Sequence, residues 1–232
     1  TGFALIVLRG RPGWEDALLN VAGMLAVGVA IVPTPLAVAV VSRVDGTQPP
    51  TPTVPVEFQP GVANNVLAFA VVGLLGVVTA TVLAYRSREL TRANVTAITV
   101  TGLLVVGYLA WHQWWLTGFL RWAHYAAAIP MFLVMTIVVE INARDVPRDR
   151  IRPLLSDRQY TRAYRTIALT MVLVLVLAVV LAWAQAHQHA VPAGWLFWVE
   201  AVLIALFSLF WILQTVDYAT VGRVPDRPGL TR

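Results

Sequence analysis

The chain has 232 residues, 58% of them hydrophobic and only 12% charged, with a mean hydropathy of +0.72 and a formal net charge of +5. Soluble domains carry about 25% charged residues, so this composition excludes a domain that covers its surface in water. The chain has no cysteine, which excludes disulfides, thiolate metal sites and cysteine nucleophiles, and no lysine, which excludes Schiff-base and Walker-lysine chemistry.

Taken in chain order, Thr1 to Leu8 is apolar and meets Arg9 and Arg11. Eight residues are too few to span a bilayer, so the segment reads as the inner end of a helix that starts before Thr1, or as a processed N-terminus. The first complete span is predicted over 15–42, opened by Glu15 and Asp16, where the helix dipole favours acids. Asn20 lies a turn further in and is expected to hydrogen-bond between helices. Pro33 and Pro35 should kink or end this span. Residues 43–63 are rich in proline and form a loop with polyproline II character.

Further spans are predicted over 64–85, 94–116, 121–142, 163–186 and 195–216, each close to the roughly 20 apolar residues a bilayer requires. Residues 116–120 are expected to turn the chain between the third and fourth, making an antiparallel hairpin. Pro130 falls inside the fourth. Residues 143–165 are the most charged stretch, and the tail from Asp217 is expected to fray. The predicted fold is all-α: one polytopic transmembrane domain over 1–232, with six complete spans and a partial N-terminal helix.

Seventeen arginines sort by side, with only Arg43 and Arg121 on the face opposite the other fifteen. The positive-inside bias makes the crowded face cytoplasmic. Trp111, Trp114, Trp115, Trp122, Trp183, Trp195 and Trp198 collect at the other interface, where amphipathic rings anchor. Loop 43–63 is then external, and loop 143–165 and the C-terminus are internal. A location in the cell (inner) membrane of a prokaryote follows, and the all-arginine usage points to a GC-rich genome. Because the positive charge borders spans, nucleic acid is not an expected partner.

Candidate chemistry is sparse. His112, His124 and His187 fall at the outer ends of helices, and Glu200 lies within two turns of the start of the last span. Together they offer the N/O ligands of a zinc site, or axial ligands for haem. The competing reading is that interfacial histidines are structural, with no cofactor at all. His187 and His189 are two apart and point differently on a helix. Arg148, Arg150, Arg152 and Arg158 are candidate contacts for anionic lipid headgroups, against the reading that they only set topology. Asp16 with Glu15 could form a substrate or proton site, and helix N-capping explains them more simply. Gln214 and Asp217 are expected among the inner headgroups. Gly73 with Gly76, and Gly102 with Gly107, permit close helix contact without GxxxG spacing. No GxSxG, HExxH or GxGxxG pattern occurs.

The order of spans, the early external loop, the run His124-Tyr125-Ala126-Ala127-Ala128, the basic inner loop and the final span Trp198-Val199-Glu200 to Phe210-Trp211 resemble the Frag/DRAM/Sfk-type small polytopic membrane proteins over about 64–216. The resemblance implies a six-helix lipid-associated protein and no catalytic residues. Three functions are therefore weighed. The first is a non-enzymatic membrane protein, an accessory or assembly subunit or a lipid-associated protein, with membrane lipids and other membrane subunits as partners. The second is a metal- or haem-dependent enzyme at the outer leaflet. The third is a small-solute transporter, which should carry polar residues at mid-membrane in several spans.

Overall fold

A computed structural model describes residues 14–34, 54–88, 90–144, 155–187, 189–192 and 194–219. Every regular element among them is helical: α1 (Trp14–Ile31), a short 3-10 turn (Val56–Phe58), α2 (Gln59–Arg86), α3 (Arg92–Trp114), α4 (Leu116–Arg144), α5 (Asp157–Ala186) and α6 (Trp195–Ala219). All six α-helices are long and apolar enough to cross a bilayer. The partial helix expected over Thr1–Leu8, most of the proline-rich loop and the arginine run from 145 to 154 lie outside the described residues.

The helices begin and end where local chemistry dictates. α1 stops at Ile31, two residues before Pro33, because a proline disfavours helical backbone in the residue before it. α2 starts at Gln59, five residues earlier than hydropathy predicts, with Pro60 in its first turn, where a missing N–H costs nothing. α3 is capped by the Thr91 hydroxyl, which accepts from the Asn94 N–H at 3.2 Å. α5 starts at Asp157, six residues before its apolar run. A capping box draws it back: the Ser156 side chain accepts from the Gln159 N–H, and the Ser156 N–H donates to Gln159 Oε1 at 2.8 Å.

The α3–α4 connection is tighter than the five-residue turn expected. Only Trp115 leaves helical geometry, at φ −144° and ψ 67°, and 116–120 form the first turn of α4. Gly118 makes this possible. A Cβ there would run into the Trp115 indole, which folds back over it. Pro130 does not interrupt α4.

The chain divides into two compact units, residues 1–134 and 135–232. In the first, α2 and α3 form an antiparallel hairpin, with Gly73 against Val105 and Phe69 against Tyr108. α1 runs parallel to α3, since Ala17 packs on Ala93 and Ala97 near one end and Gly28 meets Tyr108 near the other. Val32, Val62, Val66, Val105, Phe119 and Ala123 close the core. In the second unit α5 and α6 pair antiparallel. The buried residues of α6 (Trp195, Val199, Leu203, Phe207, Phe210, Gln214 and Asp217) recur every three or four positions, and those of α5 (Tyr160, Tyr164, Ile167, Met171, Leu175 and Ala178) do the same, with Ala168 beside them. Each helix thus buries one stripe and leaves its remaining apolar faces exposed.

Candidate functional site: a lateral groove and two buried polar clusters

Three places in the fold bring chemistry together. The first is the end of the first unit where α1 stops. The last carbonyls of a helix lack intrahelical donors, and Pro33 and Pro35 supply no N–H. His124, on α4 and only 5% exposed, fills the gap: its Nδ1–H donates to the Val32 carbonyl at 2.9 Å. One residue earlier, the Tyr108 hydroxyl donates to the Ala123 carbonyl at 2.5 Å. Tyr108 sits in a cluster of edge-on rings with Phe69, Trp111 and Phe119. Two side-chain-to-backbone bonds therefore tie α1, α3 and α4 at one point.

His112 stands edge-on to Phe119 and lies 3.4 Å from the Gln113 amide, so His112 and His124, flanking the hairpin, take different partners. In the second unit, His187 caps α5 through a bond from Nδ1 to the Trp183 carbonyl at 2.8 Å, and its ring leans on the Trp183 indole. Glu200 is half-buried on α6. Among the described residues no three His, Cys, Asp or Glu side chains converge in a metal-binding group. Arg158 is exposed in the first turn of α5, whereas Arg148, Arg150 and Arg152 lie outside the described residues. Glu140 pairs with Arg144 one turn on, at 2.9 Å.

The second place went unrecognised in the sequence. Near the end of α4, the start of α5 and the end of α6, polar side chains are buried rather than spread among headgroups. Asn142, Gln214 and Asp217 are each 2% exposed. Gln214 Nε2 donates to Asn142 Oδ1 at 2.9 Å, and Asn142 Nδ2 donates to the Val138 carbonyl at 3.0 Å. The Tyr164 hydroxyl donates to Asp217 Oδ2 at 3.3 Å. Such bonds replace the missing hydrophobic drive between helices surrounded by apolar material. The available signal was periodicity: Tyr160 and Tyr164, four apart, and Gln214 and Asp217, three apart, continue the apolar stripes of their helices.

The third place is a groove of about 620 Å³ between α1, α2 and α3. Its cause is visible along α2. Buried positions recur from Val62 to Gly73 and then cease, and no residue from Leu74 to Arg86 is buried. Gly73 is pressed so closely on α3 that a Cβ would sit 2.6 Å from Val105 Cγ2, whereas a Cβ at Gly76 would meet nothing within 4 Å. α1 and α2 diverge there, and the floor between them is α3. The walls are apolar, with Met24, Val27, Val72, Val77 and Ile98 among them; the polar lining residues are Asn20, Asn65 and Thr101. Asn20, expected to bond across helices, instead reaches back to Asp16 Oδ2 at 3.5 Å and lines the groove.

Comparison with protein-family models, with curated proteins and with solved structures yields no match to this chain.

Proposed function

We propose that this chain is a non-enzymatic, multi-pass integral membrane protein that acts through its apolar surfaces, as an accessory or assembly subunit or as a lipid-associated protein. The observation that carries the reading is the use made of His124. The most buried of the candidate ligands is engaged on the Val32 carbonyl, where it closes the end of a helix, so its position has a structural explanation. Tyr108 ties α3 to α4 through the Ala123 carbonyl. The deeply buried polar groups of the second unit likewise bond helix to helix. Beyond these, α2, α5 and α6 turn outward large apolar side chains such as Leu75, Leu173 and Ile212, a surface suited to lipid or to another membrane subunit.

The arginine asymmetry supports a location in the inner membrane of a prokaryote, with the α2–α3 turn, the segment after α4 and the C-terminus cytoplasmic. The resemblance to Frag/DRAM/Sfk-type proteins carries the same expectation of a lipid-associated role. The test is purification of the full chain from membranes in a mild detergent, followed by metal analysis, an absorption spectrum and mass analysis of what travels with it. The expected result is substoichiometric metal, no Soret band, and co-purifying lipid or membrane subunits. Stoichiometric zinc or haem, lost on His124→Ala while the fold persists, would overturn the proposal.

A further inference from the structure

We infer that the groove between α1, α2 and α3 seats one acyl chain of an anionic phospholipid whose phosphate rests against the arginines of the α2–α3 turn. The inference rests on the membrane reading above and extends it to a ligand class and a site. Along α2 the groove runs from Asn65 to Ala80, about 22 Å at 1.5 Å per residue, and along α1 from Asn20 to Ile31, about 16 Å. Half of a bilayer's hydrocarbon core is about 15 Å thick. A chain entering at the Ala80 and Ala97 end thus runs alongside protein through at least one leaflet.

That end carries the charge. Arg86 follows Ala80 by six residues and Arg92 precedes Ala97 by five, so along the helix axes both lie about 8–9 Å beyond the apolar lining, within the reach of a long arginine side chain. Arg86, Arg88 and Arg92 are all exposed. The acids at the same end are disposed differently. Glu15 is buried, Asp16 is half-buried and accepts from Asn20, and Glu89 lies outside the described residues. Among the described residues the exposed charged side chains at the groove's entrance are therefore arginines, which complement a phosphate and favour a lipid with net negative charge over a zwitterion. The interior offers only Asn20, Asn65 and Thr101 as polar lining, in keeping with a hydrocarbon occupant.

The space itself supplies the test. Gly76 and Ala80 line the groove and are exposed, and a Cβ at Gly76 meets nothing within 4 Å, so leucine at either position is expected to take up groove space. The full chain is purified in mild detergent, given equimolar phosphatidylglycerol and phosphatidylcholine carrying the same acyl chains, and weighed by native mass spectrometry. The wild type is expected to retain one phosphatidylglycerol. Gly76→Leu and Ala80→Leu, each folded by circular dichroism, should retain at least about tenfold less, because each displaced methylene forfeits its burial. Arg86→Gln, Arg88→Gln and Arg92→Gln together should keep a bound chain but lose the preference for phosphatidylglycerol, by about fivefold per arginine.

Retention unchanged in both leucine variants overturns the inference, as does equal retention of the two lipids by the wild type. A dimer that forms without lipid and is broken by Gly76→Leu would assign the groove to a second copy of the chain and also overturn it. The membrane reading fails separately, if alkaline carbonate releases the chain from membranes. A chain that stays in the pellet without a groove-dependent lipid sinks only the inference.

Discussion

Two glycines three residues apart on α2 should respond to alanine with opposite signs. Glycine in a helix is about 1 kcal/mol less favourable than alanine, so both substitutions begin with the same gain. At Gly76 nothing stands within 4 Å of the new methyl, and the gain is kept. At Gly73 the methyl would lie 2.6 and 3.2 Å from the two γ-carbons of Val105 and 3.5 Å from Met24 Cε. Val105 is fully buried, and its branched side chain has essentially one rotamer in a helix, so it has nowhere to turn. Overpacking of this kind costs about 1–3 kcal/mol. Since the propensity gain is common to both variants, Gly73→Ala should be less stable than Gly76→Ala by about 1–3 kcal/mol. Reversible unfolding in mixed detergent micelles, followed by circular dichroism, measures the difference. Equal stability of the two, or a more stable Gly73→Ala, would refute the packing of α2 on α3 and with it the divergence that opens the groove.

Three further substitutions probe the polar bonds in the same assay. His124→Leu should destabilise by about 1–3 kcal/mol, because it leaves the buried Val32 carbonyl without the imidazole N–H; an unchanged midpoint would return His124 to the list of functional ligands. Asn142→Leu and Gln214→Leu, alone and combined, should give a coupling energy of about 0.6 kcal/mol, the typical value for a hydrogen bond between membrane helices, and strictly additive effects would contradict the bond between them. Ser156→Ala should cost about 0.5–2 kcal/mol and accelerate hydrogen exchange in the first turn of α5, whereas no change there would mean that the capping box does not hold that turn.

The spans were legible because a bilayer imposes a length and a composition together, and six segments meet both. Pro33 and Pro35 marked a kink or an end in a span carried to residue 42, and α1 ends at Ile31, just before them. Helix starts were less legible from hydropathy, which sees only the apolar run: it placed α5 at 163, although Ser156 and Gln159 hold a capping signal just upstream. Trp115 and Gly118 escaped because a one-residue break depends on an indole finding the space that a glycine leaves. The histidines at the helix ends were visible as candidates, but their partners were not. His124 bonds to a carbonyl 92 positions away, and no local pattern encodes that pairing. Asn142 and Gln214, 72 positions apart, are the same case. The groove was the least legible feature, since it arises from where α1 and α2 part rather than from any residue type.

The absence of native cysteine makes a single introduced thiol an unambiguous reporter of sidedness. Ser87→Cys, in the turn after α2, and Thr117→Cys, in the first turn of α4, are both exposed positions on opposite ends of α3. A membrane-impermeant maleimide applied to intact spheroplasts should label Thr117→Cys at once and Ser87→Cys only after lysis. Labelling of Ser87→Cys in intact spheroplasts, or of both positions equally, would contradict a chain that crosses the membrane with its arginines in the cytoplasm.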